Sequence, residues 1–534
     1  MSRFNQTVKD IKHHAVTTNE AGGKAYMLTP EYKLYSLVCN SMMADQYYRT
    51  ADESLKEVID LVAKCRPEYV GALADYARND MHLRSMPVVL SVLLAKLHGG
   101  PIARRTVSRV VKRVDELTEL LAFYGITNPY AKDVANKGSP HPIRKTITKK
   151  PNSLIRGIKD VFESGRFDEY QYGKYNREGM YTIRDALFLA RPKPRNDVQK
   201  ALFTKIANKQ LTPPDTWEVA LSAAGKDVTK KAQVWERLIN EKKLGHMALL
   251  RNIRNILELK PSQAFIDFFC SQLVAGVDHG KQMPFRYYSA YRSLVPSAKR
   301  GAYSGISNSG HDPFALKTVC KALEMCMKRS VVQRIPILKG RSLVACDVSG
   351  SMYTPVSGKS QMEMYDIGLV LGASLYAANP NETLMGMFGD SWKFLVPTGQ
   401  ILFDVDAIRQ REGEVGYATN GYKVIEDVRR RKLSVDNILM FTDGQMYGGD
   451  LQKEWDDYRY QINPNAKLFV FDLAGHGASP IRINNKSTYL IAGWSEKIFD
   501  TVDRLTRGEN IVEQIMKYDS TLTKAQATSE NEDN

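Results

Sequence analysis

Three short polar segments in the last third of the chain carry side chains that could bind a divalent cation. Asp347, Ser349 and Ser351 follow one apolar run, Thr419 lies in a second segment, and Asp443 follows another apolar run. Two carboxylates and three hydroxyls form an all-oxygen ligand set, which suits Mg²⁺ because that hard cation prefers oxygen ligands and retains waters. The sequence therefore predicts a divalent metal site, with Mg²⁺ as the expected ion and Mn²⁺ or Ca²⁺ as alternatives.

Two neighbouring residues are alternatives to members of this ligand set. Asn420 follows Thr419 and could supply the oxygen instead, and Thr442 is a rival hydroxyl just before Asp443. An ion held largely by hydroxyls and waters leaves a coordination position for an outside carboxylate or phosphate. A metal-dependent nuclease at these aspartates is disfavoured, because it requires a carboxylate-rich or two-metal cluster. We expect the site to dock a ligand or stabilise the fold, and we expect the protein not to be an enzyme.

Short apolar strands that alternate with amphipathic helices must position these side chains. The predicted strands are 342–346, 383–388, 437–441, 467–471 and 488–491, and the predicted helices between them are 362–378, 421–432, 451–461 and 495–506. This alternation predicts a parallel sheet covered on both faces, with ligands at the carboxyl ends of the strands. Asp347 and Asp443 would lie there. The arrangement resembles the metal-ion-dependent adhesion site of von Willebrand factor A domains, which have a Rossmann-like α/β fold.

The preceding part of the chain differs in both periodicity and charge. From about residue 29 to 334, helical periodicity recurs between short polar, Pro or Gly breaks, which predicts more than ten helices in a bundle or an α-solenoid. The predicted helices include 104–124 and 246–259. The formal charge is +16 overall, and by our count it is +23 over residues 1–340 and −7 over residues 341–534. A basic helical half joined to an acidic α/β half favours a polyanionic partner for the first half.

Candidate RNA contacts in the basic half combine arginine, lysine, asparagine and tyrosine side chains on predicted helices. Interleaved arginines and aromatics can hold phosphates and stack bases of single-stranded nucleic acid. Solvated helix faces with aromatics buried in the core are the alternative interpretation. The candidate residues are Arg184, Arg191, Lys193, Arg251, Asn252, Arg286, Tyr287, Tyr291 and Arg292.

Several classes of protein are excluded by what the sequence lacks. Six scattered cysteines form no CxxC pair, so we expect a reducing, cytoplasmic compartment and no zinc site. The N-terminal residues have no apolar region of the signal-peptide type, and the longest apolar stretch, 367–381, is too short to span a bilayer. No Walker-type glycine loop of the pattern G-x-x-x-x-G-K-[ST] and no G-x-S-x-G elbow occurs. We therefore expect a soluble protein that binds no membrane.

Ordered segments along nearly the whole chain resemble the Ro autoantigen family, whose helical part is the TROVE module. The segments Ala21-Gly-Gly, Leu28-Thr-Pro, Tyr47-Tyr48, 83–87, 248–252 and 283–291 occur in the family's order. The resemblance implies a ring of HEAT-like repeats that holds single-stranded 3′ ends of misfolded noncoding RNAs in its central hole and binds Y RNAs outside. It also implies a monomer that can work with an exoribonuclease, polynucleotide phosphorylase, through a Y RNA tether.

The resemblance adds detail to one candidate surface. Residues 184–194 resemble the stretch that the family uses for RNA contact, although Phe188 stands where a basic residue is expected. The predicted organisation is a TROVE-type domain at 1–338, a von Willebrand factor A-like domain at 339–522 and a disordered tail at 523–534. The predicted function is a ribonucleoprotein scaffold for RNA quality control. The alternative is a protein-interaction scaffold whose A domain grips a partner carboxylate through the metal.

Overall fold

The computed structural model describes residues 16–40, 50–137, 140–141, 149–176, 178–212, 216–225, 227–295, 311–356, 360–493, 498–507 and 509–518. Two compact units divide these residues: one takes those within 1–27 and 215–506, and the other takes those within 28–43, 49–214 and 507–534. Tyr47-Tyr48 and the predicted tail at 523–534 lie outside the described residues. The predicted domain boundary after residue 338 stays a prediction, and the described helices of residues 217–334 lie in the same unit as the large sheet.

The second of these units, which we call the helical unit, is built from amphipathic helices. Its core contains most of α4, in which every residue after Ser85 is buried. Capping boxes start several helices; at α2, for example, the Thr50 side chain accepts from the backbone N–H of Glu53 while the Glu53 carboxylate accepts from that of Thr50. The helices are α1 Pro30–Asn40, α2 Ala51–Lys64, α3 Pro67–Asn79, α4 Ser85–Leu97, α5 Gly100–Val110, α6 Glu116–Ile126, α7 Asn128–Lys137, α8 Asn152–Glu163, α9 Glu169–Tyr175, α10 Ile183–Ala190 and α11 Asp197–Ala207.

The first unit, which we call the α/β unit, begins its described helical part with shorter helices and ends it with a long one. Helix α19 has 22 residues and packs against both α16 and α18. The helices are α12 Trp217–Ala223, α13 Val228–Asn240, α14 His246–Arg251, α15 Ile253–Leu257, α16 Gln263–Ala275, α17 Val277–Gly280, α18 Pro284–Leu294 and α19 Pro313–Arg334. Among the described residues, no helix is both long enough and apolar enough to cross a membrane.

A six-stranded sheet forms the rest of the α/β unit, in the order β5-β4-β3-β6-β7-β9. All neighbours are parallel except the edge strand β5, which is antiparallel to β4. Every residue of the central strands β3 and β6 is buried, as expected for strands covered on both faces. The elements are β3 Ser342–Asp347, α20 Met364–Ala378, β4 Thr383–Phe388, β5 Trp392–Leu395, α21 Ile401–Arg409, α22 Tyr422–Arg430, β6 Asn437–Thr442, α23 Leu451–Gln461, β7 Lys467–Asp472, β9 Thr488–Ala492 and α24 Ile498–Thr506.

A second, three-stranded sheet attaches the N-terminal residues to the α/β unit. Strands β1 Val16–Thr18 and β2 Lys24–Met27 form an antiparallel hairpin, and β2 pairs with the short strand β8 Ala478–Ser479. We call residues 16–27 the N-terminal hairpin. It was not predicted, because its strands are short and one of them pairs with a segment more than 400 residues away.

The predicted fold class is confirmed in outline: the chain is mostly helical and has a separate six-stranded sheet with the five predicted strands. Two predicted long helices are wrong. The helix expected over 104–124 is divided into α5 and α6, because the Glu116 carboxylate accepts from the backbone N–H groups of Lys112 and Arg113 and stabilises a turn. The helix expected over 246–259 is interrupted at Asn252, whose side chain donates to the Ala248 carbonyl.

Candidate functional site

The two predicted metal-binding aspartates lie at the carboxyl edge of the large sheet. Strands β3 and β6 are parallel neighbours, and Cys346 is paired with Phe441. Asp347 is therefore level with Thr442, and Asp443 is the next residue along β6. Both carboxylates are buried. The register of two central strands thus brings together side chains that are 96 residues apart in the sequence.

Hydrogen bonds fix the first carboxylate and the loop that follows it. Asp347 Oδ1 accepts from the backbone N–H of Ser349 at 2.9 Å, and its Oδ2 accepts from Thr442 Oγ1 at 2.6 Å. The hydroxyl oxygens of Ser349 and Ser351 are 3.4 Å apart. Thr442, the rival hydroxyl, therefore orients Asp347 from the neighbouring strand. Both serines are buried beside the carboxylates, as a ligand set at this edge requires.

The second carboxylate has spare capacity to bind a cation. Asp443 Oδ1 accepts from the Gln445 backbone N–H at 3.1 Å, whereas its buried Oδ2 has no hydrogen-bond partner among the described residues. Burial raises the pKa of Asp443, although the Ser351 hydroxyl opposes this shift. Burial also raises the pKa of Asp347, and the negative charge of Asp443 adds to the shift. Two buried carboxylates that repel each other favour a positive ion between them.

The third predicted loop, which contains Thr419, is joined to the first. The backbone N–H of Gly350 donates to the Tyr417 carbonyl at 2.9 Å, and that of Ala418 donates to Asp390 Oδ1 at 2.9 Å. Asp390 follows β4, so a third strand end contributes to this edge. Thr419 is buried within the loop that these bonds hold. The sequence contains no motif that would have singled out Asp390 or Tyr417 for this role.

The N-terminal hairpin supports the loop that follows Asp443. Asn19 Nδ2 donates to the Met446 carbonyl at 2.7 Å, and Lys24 Nζ lies 2.8 Å from Asp450 Oδ2. The backbone of Gly23 approaches so closely that a Cβ atom there would lie 1.9 Å from the Met446 carbonyl oxygen. Only glycine fits this contact. Sequence reasoning missed the hairpin's role, because no local pattern indicates a contact over such a separation.

The residues at this edge fit a hard divalent cation. They supply two carboxylates and three hydroxyls, and the buried Oδ2 of Asp443 forms no hydrogen bond with another described residue. Within the described ranges, no group of three or more His, Cys, Asp and Glu side chains is placed to hold a metal. A cation here would therefore depend on the serine and threonine hydroxyls and on water as well as on Asp347 and Asp443.

In the helical unit, the predicted RNA contacts at α10 lie at the surface. Arg191 and Lys193 are exposed, and neither side chain forms an ion pair with another described residue. Arg191 adopts a left-handed conformation, with φ of 47°, where α10 ends. The Arg184 guanidinium is half-buried, donates to the Ala207 carbonyl at 2.7 Å and lies 4.8 Å from the ring centroid of Phe188. Phe188, which interrupts the basic pattern, is 51% exposed and offers a stacking surface.

In the α/β unit, two of the predicted RNA contacts are exposed cations. Arg251 lies at the end of α14 and Arg286 lies in the first turn of α18, and neither is ion-paired within the part of the chain that the structure describes. Asn252 is buried, and its amide bonds to the Ala248 carbonyl and to the Asn255 side chain. Its position and bonds make it a residue that stabilises the break between helices, which corrects its expected role as a surface contact.

The other predicted contacts of α18 are buried, which corrects the expected stacking surface. Tyr287 and Arg292 are at most 1% exposed, and Tyr291 is 8% exposed. Arg292 Nη2 is 2.6 Å from Asp406 Oδ1, the hydroxyl of Tyr291 also bonds to Asp406, and Tyr288 donates to Asp366 at 2.6 Å. Helix α18 packs against α19 on one side and α20 on another, so its aromatics lie in the core. The alternative interpretation of this segment, that its aromatic side chains are buried in the core, is therefore the correct one.

Comparisons with known proteins agree with this architecture. The TROVE domain family matches residues 10–213 and 208–336. Telomerase protein component 1 of Mus musculus is 22% identical over 373 residues, and the protein of that name from Rattus norvegicus matches to the same extent. Each match covers 54% of this chain but only 13% of the relative's length.

A solved structure shows the same fold. The crystal structure of the RO (RSR) protein of Deinococcus radiodurans superposes with a TM-score of 0.56 and 17% sequence identity. The alignment covers 90% of this chain and all of that chain. Helices followed by an α/β unit are therefore shared well beyond the TROVE segment. Because the family match covers more than half of the sequence, this chain belongs to the TROVE domain family.

Proposed function

We propose that this chain is a non-enzymatic RNA-binding protein that serves as a ribonucleoprotein scaffold in RNA quality control or degradation. It holds single-stranded 3′ ends of misfolded noncoding RNAs in the central hole of a ring of HEAT-like repeats, and it binds Y-like RNAs on its outer surface. One observation carries the proposal: the part of the chain that matches the TROVE family presents exposed cations that no described carboxylate neutralises, among them Arg191, Lys193, Arg251 and Arg286.

Such cations suit RNA because every RNA has the same phosphates. Phosphate contacts position a nucleic acid without reading its sequence, and exposed rings add stacking on any base. Phe188 beside Arg184 offers such a ring, three residues before Arg191 and five before Lys193 in the sequence. An exoribonuclease such as polynucleotide phosphorylase would be recruited through the bound RNA. The expected selectivity is for unpaired strands.

The edge of the sheet has a separate role in this proposal. A Mg²⁺ ion held by Asp347, Ser349, Ser351, Thr419 and Asp443 would dock a carboxylate or phosphate of a ligand, or would stabilise the loops, without catalysing a reaction. The unpartnered oxygen of Asp443 supports this assignment. The same observation favours the second candidate function, a protein-interaction scaffold in which the metal grips a partner carboxylate and the cationic helices are merely solvated.

Paired substitutions of exposed cations test the first function against the second. The variant Arg191→Ala/Lys193→Ala should bind a hairpin RNA with a 3′ tail more weakly, and its log–log salt slope should fall by about two because two phosphate contacts are lost. The control Lys453→Ala/Lys486→Ala removes two exposed cations outside the TROVE match and should bind like wild type. Equal binding by both variants would reject this surface as an RNA contact, and an absence of RNA binding by wild type would leave the protein-interaction scaffold.

A further inference from the structure

A cavity of about 210 Å³ opens among α13, α14, α16 and α17 of the α/β unit. Its lining includes the apolar side chains of Leu244 and Leu249 and the polar side chains of Gln272 and Lys242. The cavity is smaller than the 300 to 1,000 Å³ that drug-sized ligands usually occupy, but it is much larger than a water site. Its size therefore suits a single flat ring system.

One wall of the cavity is a fixed imidazole. His246 Nε2 and the Tyr287 hydroxyl are 2.8 Å apart, and the ring lies so close to α17 that a Cβ atom on Gly280 would lie 2.3 Å from it. Burial lowers the pKa of His246, and the positive charge of Arg334 adds to this shift. The ring is held rigidly between the Tyr287 hydroxyl and α17, so it offers a fixed surface on which an aromatic ring can stack.

The rim of the cavity is cationic and polar. Lys242 is exposed and forms no ion pair with any residue in the described ranges, and His279 is exposed at another edge. A ligand that fits this environment has a flat ring for the cavity and negative charges for its rim.

We propose that this cavity binds one unpaired nucleobase of a single-stranded RNA. The base lies between the two leucines and the His246 ring, the Gln272 amide bonds to its edge, and flanking phosphates lie near Lys242. An amide both donates and accepts hydrogen bonds, so the site accommodates different bases. This inference rests on the proposed function, because that function supplies the single strand, and it adds a defined subsite where a base leaves the stack.

The test combines a protein variant in which the cavity is filled with RNAs that lack one base, so that the two changes form a double-mutant cycle. Ala275 lines the cavity and is exposed at the end of α16, so Ala275→Trp blocks the space without disturbing the core. Affinity for a hairpin RNA with a 3′ tail should fall about tenfold, the effect of losing one stacked base. Ala223→Trp, at an exposed position that does not line the cavity, should bind like wild type, and thermal unfolding confirms that both variants are folded.

Abasic substitutions along the tail complete the cycle. In wild type, removing the base at one tail position should cost about tenfold, and in Ala275→Trp the same removal should cost nothing further, since the two changes delete one interaction. Unchanged affinity in Ala275→Trp, or equal abasic costs in both proteins, would overturn the base site while tailed RNA still bound. If adenosine or uridine monophosphate alone bound as tightly as the tailed RNA, the cavity would be a free-nucleotide site and the inference would be wrong. If wild type bound no tailed RNA, the proposed function itself would fail.

Discussion

The carboxyl edge of the sheet and the surface of the cationic helices gather charge in opposite ways. At the sheet edge, Asp347 and Asp443 are buried together, and backbone and hydroxyl groups hold them in place. On the helices, Arg191, Lys193 and Arg286 are exposed and unpaired within the described residues. Buried charges in fixed positions select one small ion, whereas exposed charges on flexible stems accept any polyanion. We therefore expect the sheet edge to bind a metal ion and the cationic helices to bind RNA. A substitution in one region should leave ligand binding at the other unchanged.

Two arginines of the same helix, α18, should differ most in how much their substitution by alanine lowers the free energy of unfolding. Arg292 is buried and paired with the half-buried Asp406, so Arg292→Ala removes that partner, leaves a cavity at a buried position and should lower the free energy of unfolding by about 2–5 kcal/mol. Arg286 is exposed, and Arg286→Ala should change that free energy by less than about 0.5 kcal/mol while weakening RNA binding. Urea unfolding measures the first difference. Equal stability losses would mean that both arginines are structural.

The next effect is on metal binding. Asp443→Ala and Asp347→Ala should each remove a few kcal/mol of affinity for Mg²⁺ or Mn²⁺, because a hard cation loses a carboxylate ligand. RNA affinity should change by only about 0.3–0.5 kcal/mol, because the two aspartates are not among the proposed RNA contacts and independent sites are usually additive. Calorimetric titration of metal and RNA into each variant measures both quantities. Unchanged metal binding would remove the adhesion-site interpretation, and lost RNA binding in a folded variant would show that the sheet edge contacts RNA.

A smaller effect is expected from the N-terminal hairpin. Gly23→Ala places a methyl group against the Met446 carbonyl, and the resulting displacement should cost about 1–3 kcal/mol. Because the displaced loop follows Asp443, metal affinity should fall with stability. Gly125→Ala, on α6 with open space around its Cα, is the matched control and should leave metal affinity unchanged. If Gly23→Ala bound metal as wild type does, the hairpin would have no part in positioning the site.

A further expected effect, a change of stability with pH, concerns a buried lysine that belongs to neither region. Lys96 is buried, and its ammonium donates to the Tyr124 carbonyl, Thr127 Oγ1 and Asn128 Oδ1. Burial lowers the pKa of Lys96 to about 7 from its usual 10.5. Between these values the unfolded chain binds more protons than the folded one, so stability should rise with pH. Lys96→Met should flatten that rise in urea unfolding at pH 7 to 10, and an unaltered slope would exclude Lys96 as its source.

Sequence reasoning succeeded where local pattern determines structure. Strands β3 and β6 are mostly apolar runs, and because ligands bind at the carboxyl ends of parallel strands, the sequence alone predicts Asp347 and Asp443 at one edge. It failed where partners are distant. The Gly23 contact depends on a loop over 400 residues away, and the burial of Tyr287 depends on helices that pack around α18 on more than one side. Tyrosine and arginine look the same in a sequence whether they face solvent or a buried carboxylate.

In the proposed function, exposed cations of the TROVE part bind RNA through a free unpaired end and without reading its sequence. The most direct measurement is a competition among RNAs that share one hairpin: a blunt end, a mixed 3′ tail, the same tail scrambled, and the tail sealed by circularisation. If a single strand enters the central hole by its free end, the two linear tails should bind alike and more tightly than the blunt or circular forms. An A-form duplex presents no free strand, and a circular RNA presents no free end. If scrambling the tail cost as much affinity as removing it, the protein would read sequence and the claim would be contradicted.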